Sequence, residues 1–104
     1  MIMKRVAPLT CILIGETGLL LRCAELLTGR GHSVMAIVSS DESFPHHWKT
    51  FTRLSDVIHC MDKRPDLLLS IANRFILTKD QIDYPNIAAI NYHDSLLPTY
   101  AGVN

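Results

Sequence analysis

The stretch LTCILIGETGLLLRCAELLTGRGHSVMAIVSS, residues 9–40, decides the fold class. Leu9 to Ile14 is a short apolar run ended by Gly15, and it reads as a buried strand. Thr17 to Thr28 follows with a different period. Leu19, Leu20, Cys23, Leu26 and Leu27 fall at i, i+1, i+4, i+7 and i+8, which is one helical stripe, with Arg22 and Glu25 off it. Gly29 and Gly31 supply the stop. Val34 to Val38 is a second apolar, β-branched run, and Ser39 to Ser43 is polar. Strand, helix and strand thus follow one another with short turns between them.

The rest of the chain continues the rhythm. From Pro45 to Arg64, Trp48, Phe51, Leu54, Val57 or Ile58, and Met61 recur every three to four residues, which predicts a helix. Lys63 and Arg64 suit its C-terminal end, and Pro65 stops it. Asp66 to Ala72 is a third buried-strand run. Thr78 and Gln81 stand at capping-box spacing and open a short helix. Ile87 to Tyr92 is the fourth strand, and Asp94 to Gly102 is a loop punctuated by Pro98 and Gly102. The alternation predicts an α/β fold: a Rossmann-like, mostly parallel sheet with helices on both faces.

Composition bounds the function. The chain has 104 residues, enough for one domain and too few for two. Hydrophobic residues make up 48% and charged residues 19%, an ordinary globular balance. Ten basic residues match ten acidic ones, so there is no basic field to draw nucleic acid or an anionic membrane. No apolar run approaches the roughly 20 residues of a membrane span. Cys11, Cys23 and Cys60 are odd in number and lack CxxC spacing, which predicts free thiols in a reducing, cytoplasmic setting.

In open α/β sheets, ligands bind outside the carboxyl ends of the strands. Asn91-Tyr92-His93 closes the fourth strand. Strand side chains alternate, so Asn91 and His93 project one way and Tyr92 the other. An amide beside an imidazole suits acyl transfer: Asn91 donates to an oxyanion and His93 trades a proton. N-x-H also arises by chance, so a plain hydrogen-bonded strand end stands as the alternative.

The wider context of this pair, AINYHDSLLPTYAGVN from Ala89 to Asn104, resembles the signature of formyltransferases that use 10-formyltetrahydrofolate. The shared pattern is N-x-H-x-S-L-L-P, then a short loop and a glycine. It stands here as Asn91, His93, Ser95, Leu96, Leu97, Pro98 and Gly102. The wording around it is most similar to the assembly-line and amino-sugar-like branches. Residues 11–40 resemble the opening β-α-β unit of the family. Leu67 to Leu77 resembles its strand and folate-contacting turn, with Thr78 where the family usually has Pro. Residues 40–64 are the weak part of the likeness and short for another strand and helix.

The resemblance implies transfer of a formyl group from 10-formyltetrahydrofolate, as co-substrate, to a primary amine through a tetrahedral intermediate. Asn91 and His93 would stabilise it. Backbone groups around Phe75, Ile76 and Leu77 would receive the pterin, and Ser95, Leu96, Leu97 and Pro98 would line the site floor. The acceptor would be a small-molecule or carrier-bound amine. The family's third residue, an Asp, lies downstream of the motif. Residues 1–104 therefore read as the N-terminal part of a formyltransferase catalytic domain, inactive or barely active alone: a truncated gene product, a cloned fragment or one piece of a longer, multidomain chain. A non-catalytic folate-binding or docking remnant is the alternative.

Other patterns are weaker. Gly15-Glu16-Thr17-Gly18 sits where nucleotide-binding turns do, but it is neither G-x-G-x-x-G nor a phosphate loop. Glu16 would also repel a phosphate there. His46-His47 with His59-Cys60 fits no standard zinc spacing, so no metal is expected. Ser95 lacks the G-x-S-x-G setting of a nucleophile.

Overall fold

A computed structural model describes residues 7–16, 18–41, 43–45, 47–72 and 76–92. The predicted loop from Asp94 to Gly102 lies outside them. Five parallel strands form one sheet: β1 (Thr10–Ile14), β2 (Ser33–Val38), β3 (Thr50–Phe51), β4 (Leu67–Ile71) and β5 (Ala88–Tyr92). Their order is β3-β2-β1-β4-β5. The chain builds outward from β1 in one direction, then returns to build in the other. The reversal falls between β1 and β4, the place where open α/β sheets hold their ligands.

Helices cover both faces. The helix α1 (Gly18–Gly29) packs on the face formed by Cys11, Leu13, Ile37 and Ile71, together with Phe44 and Trp48. The helix α2 (Leu54–Cys60) packs on the opposite face, where Leu54 and Val57 meet Ile12, Ile14, Ala36, Val38 and Leu68. The Rossmann-like α/β architecture read from the sequence is therefore the observed one.

Within α1 the buried stripe is Leu20 and Ala24, with Leu21, Cys23 and Leu27 at its margin. Leu19 and Leu26, expected on that stripe, are 40% and 57% exposed. A helix carrying five leucines offers more than one apolar stripe, and packing selects the one that faces β1 and β2. The helix ends as the glycines predict. His32 N–H donates to Leu27 O (3.0 Å) and Gly31 N–H to Thr28 O (3.1 Å), with Gly31 at φ +89°. That is a Schellman end, in which the left-handed residue frees the last carbonyls to accept.

The segment before Pro65 differs from the expected single helix. It forms the two-residue strand β3 and then the seven-residue α2. Trp48 belongs to the α1 face, whereas Phe51, Leu54 and Val57 belong to the α2 face. The chain passes from one face to the other at the sheet's edge, so the helical spacing of these residues mixes two surfaces. The segment thus has room for the strand and helix it looked too short to hold. The helix stops at Cys60, ahead of Lys63, Arg64 and the buried Pro65.

The short α3 (Lys79–Ile82) carries the predicted capping box. Thr78 Oγ1 accepts from Gln81 N–H (3.2 Å), and Gln81 Oε1 accepts from Thr78 N–H (2.9 Å). Two otherwise unpaired donors are satisfied, and the turn before α3 is fixed.

At the amino-terminal edge of the sheet, Asp66 ties three strands together. Its carboxylate accepts from Thr10 N–H (3.0 Å), and its own N–H donates to Thr10 O (2.9 Å). Its carbonyl accepts from Ile87 N–H (2.9 Å) just before β5. The hydrogen bond from Thr10, more than the opposing effect of desolvation, holds the Asp66 carboxyl below its ordinary range. A carboxyl lowered in the folded state stabilises the fold above the unfolded value of about 4 and loses that contribution as pH falls through the folded value. Asp66→Asn is expected to lower the urea midpoint at pH 7 and to flatten its decline under acid. Urea titrations between pH 7 and 2 check this, and curves parallel to wild type would refute it.

Candidate functional site

The strand register places the carboxyl-end residues in one row. Val38 pairs with Ile14, Ile14 with Ser70, and Ser70 with Asn91. Partners in parallel strands point the same way, so all four side chains lie on the face that carries α2. Two strand spacings separate Ile14 from Asn91, roughly 10 Å. Tyr92 pairs with Ile71, which belongs to the opposite face. The expected opposition of Asn91 and Tyr92 is therefore present. His93 lies outside the described residues.

Beside this row opens a cleft of about 460 Å³. Its floor is apolar: Ile14, Val38 and Leu54 are buried, and Leu77 packs among them. Its rim is polar, with Glu16, Ser40, Thr52, Arg53, Thr78 and Gln81. Ser40 Oγ donates to the Glu16 carboxylate, joining the turn after β1 to the turn after β2. Ser39, buried beneath them, accepts from Asp41 N–H (3.0 Å) and shapes the second turn. Arg53 occupies the N-cap position of α2 without a side-chain capping bond.

Of the pterin-contacting residues the resemblance implies, two are described. Leu77 is half-buried in the α2-side core, and Ile76 stands 95% exposed at the mouth of the cleft. An apolar side chain held in water at a cleft mouth suits a flat heterocycle. Phe75, Ser95, Leu96, Leu97 and Pro98 lie outside the described residues.

The turns above the row are tightly constrained. Gly15 N–H donates to Val38 O (3.0 Å). A Cβ on Gly15 would stand 2.2 Å from the Ile71 carbonyl oxygen. The next residue of that strand end, Ala72, holds φ +49°, a left-handed conformation unusual for a residue with a side chain. Its N–H donates to Tyr92 O (3.0 Å), which pins the end of β5 to the end of β4. Asn91 is thus carried on a strand end fixed from its neighbour.

Sequence reading missed Ser70, which is buried between Ile14 and Asn91. It also missed Ser40, Thr52 and Arg53 on the cleft rim. Of the rim residues, Glu16 carried a signal through its charge in a turn where phosphate sites are common, and Thr78 and Gln81 carried one only as a capping box.

No family model matches the chain. Three curated relatives do. A methionyl-tRNA formyltransferase of Clostridium beijerinckii is 32% identical over 80 residues, covering 71% of this chain and 26% of its own length. One of Clostridium botulinum gives the same identity and coverage. One of Ruminiclostridium cellulolyticum is 50% identical over 38 residues, 36% of this chain and 12% of its own length. The matches with the two Clostridium proteins span about a quarter of those relatives. All three names are those of tRNA formyltransferases, and they lend no support to placing the chain nearer the assembly-line or amino-sugar-like branches.

Proposed function

From the premise that the chain is related to the formyltransferase family, we propose that it contributes to formyl transfer from 10-formyltetrahydrofolate to a primary amine. The donor supplies the formyl carbon. The Asn91 side-chain amide donates to the formyl oxygen as negative charge grows there, and a preorganised donor of this kind is among the largest contributions to acyl transfer. His93, one residue past the end of β5, takes or returns the proton of the attacking amine. Ile76 and Leu77 offer apolar contact to the pterin, and Phe75, Ser95, Leu96, Leu97 and Pro98 are assigned to its surroundings by the resemblance.

The observation that carries this reading is the shared row. Asn91 lies on the same sheet face as Ile14 and Val38, which floor the cleft. The residue proposed as oxyanion donor and a ligand-sized hollow thus share one sheet face. In this reading residues 1–104 form the first part of the catalytic domain, and the third catalytic group, a carboxylate, comes from polypeptide beyond them. The acceptor's amine sits on a small molecule, a carrier or, as the relatives' names indicate for those proteins, a tRNA. The setting is the cytoplasm, which suits the three free cysteines. Among the described residues, no helix is long and apolar enough to cross a membrane.

A chimera tests the reading. Residues 9–104 replace the matching stretch of a methionyl-tRNA formyltransferase, and formyl transfer is measured. Turnover well above the uncatalysed rate is expected. A folded chimera that binds the donor without transferring the formyl group would favour a folate-holding module instead.

A further inference from the structure

The chain leaves β4 at Ala72, the one non-glycine position among the described residues with a left-handed backbone, at φ +49°. Any Cβ disfavours that region, and a β-branched side chain is an outlier there. Such a conformation persists where its surroundings over-determine it, and it clusters at functional sites. Here the surroundings are two strand ends. The N–H of the Ile71–Ala72 peptide donates to Tyr92 O (3.0 Å) at the end of β5. Its carbonyl oxygen lies against Gly15, just past β1, where an added Cβ would stand 2.2 Å away. Two parts of the proposed site depend on this turn. Asn91 pairs with Ser70 and precedes the carbonyl that the peptide holds. Ile76 and Leu77 follow Ale72 by four and five residues and line the cleft.

We infer that Ala72 is a positioning residue of the formyl-transfer centre: its left-handed backbone sets where Ile76 and Leu77 stand relative to Asn91. This deepens the formyl-transfer reading and rests on it for the role of Asn91. Rotation of Ala72 to negative φ has two outcomes. With the Ile71–Ala72 peptide held, the chain leaves β4 in another direction and carries Ile76 and Leu77 with it. With the chain beyond Ala72 held, the N–H leaves Tyr92 O and the end of β5 is released. Either outcome changes the spacing between the pterin contacts and the oxyanion donor. A misplacement of about 1 Å in such a spacing can cost about 100-fold in rate. The side chain at this position therefore matters through the backbone conformation it allows.

The test compares variants that differ in access to the left-handed region. Ala72→Gly keeps it open, and Ala72→Val all but closes it. In the chimera, Ala72→Gly is expected to turn over near the wild-type rate. Ala72→Val is expected to lose at least about tenfold in kcat/KM for 10-formyltetrahydrofolate, at a temperature where circular dichroism finds it folded. Where Ala72→Val does not fold, Ala72→Asn against Ala72→Leu makes the same comparison at similar side-chain size, because Asn tolerates the region and Leu does not. The double variant Ala72→Val/Asn91→Ala separates positioning from general damage. Its loss in kcat is expected to fall well short of the product of the two single losses, as for residues that act as a unit. NMR of the 104-residue chain reads the turn without catalysis. Ala72→Val is expected to shift the amides of Ile76 and Leu77 or to expose the residue-72 amide to exchange, and Ala72→Gly to do neither. A wild-type kcat/KM in Ala72→Val, an equal loss in Ala72→Gly, losses that multiply, or an unchanged NMR spectrum around the turn in Ala72→Val would each overturn the inference. Asn91→Ala at the wild-type rate would strike the role of Asn91 alone, and the contrast between Ala72→Val and Ala72→Gly in donor KM would then decide for or against Ala72.

Discussion

Asn91→Ala in the chimera is expected to lower kcat for formyl transfer by at least about 100-fold, the usual cost of removing one oxyanion donor. The reasoning is positional. Asn91 is the last residue of β5 on the α2 face, beside Ser70 and in the row that continues to Ile14 and Val38. The Ala72 to Tyr92 hydrogen bond fixes the strand end that carries it. An interaction formed chiefly in the transition state affects kcat and kcat/KM together and leaves substrate binding little changed. Steady-state kinetics on both variants decide the matter. Tyr92→Phe is the control, since Tyr92 lies on the other face, and its rate is expected to stay near wild type. If Asn91→Ala turned over at the wild-type rate, the assigned role would be lost.

Gly15→Ala is expected to be the most damaging single-methyl change among the described residues. At 2.2 Å, the added carbon would lie inside the contact distance of the Ile71 carbonyl oxygen. That oxygen belongs to the backbone and cannot rotate away as a side chain would. Relief requires β1 and β4 to separate at the point where the sheet reverses direction. Overpacking in a rigid surround costs about 1–3 kcal/mol and sometimes more, and here the upper part of that range applies. A domain of this length has a total stability of roughly 5–15 kcal/mol. The midpoint of thermal unfolding should fall by about 10 °C or more. Calorimetry checks this, and a fall of less than about 3 °C would mean the two strands yield easily. Gly18 is the matched control: a Cβ added there would meet no atom within 4 Å, so Gly18→Ala should be tolerated.

Much of this architecture was legible in residues 9–40, because a parallel sheet buries both faces and leaves continuous apolar runs that stand out beside helical spacing. The capping box at Thr78 and Gln81 was legible for a different reason: it is local, and two residues three apart determine it. The opposition of Asn91 and Tyr92 followed from strand alternation alone. The fifth strand, β3, was not legible. Two residues are too few to show alternation, and Trp48, Phe51 and Leu54 imitate a helix while packing on two faces. The cleft was hidden more deeply. Its walls come from the ends of β1 and β2, the start of α2 and the turn before α3, which the sequence separates by dozens of residues. No local pattern connects Glu16 with Ser40 or either with Arg53. Only the register of the strands, which side-chain spacing does not encode, brings them together.

The two margins of the sheet are unequal. At one margin β3 offers two residues, and at the other β5 offers five. A template of two residues recruits poorly, whereas five with Ile90 and Tyr92 exposed recruit well. Growth of the sheet is therefore directional: an incoming strand has one good berth, alongside Asn91. The cleft around Glu16, on the far side of β1, keeps its walls whether or not that berth is taken. In the formyl-transfer reading, capture of a ligand and completion of the catalytic centre would thus be separable events, and the first would not have to wait for the second.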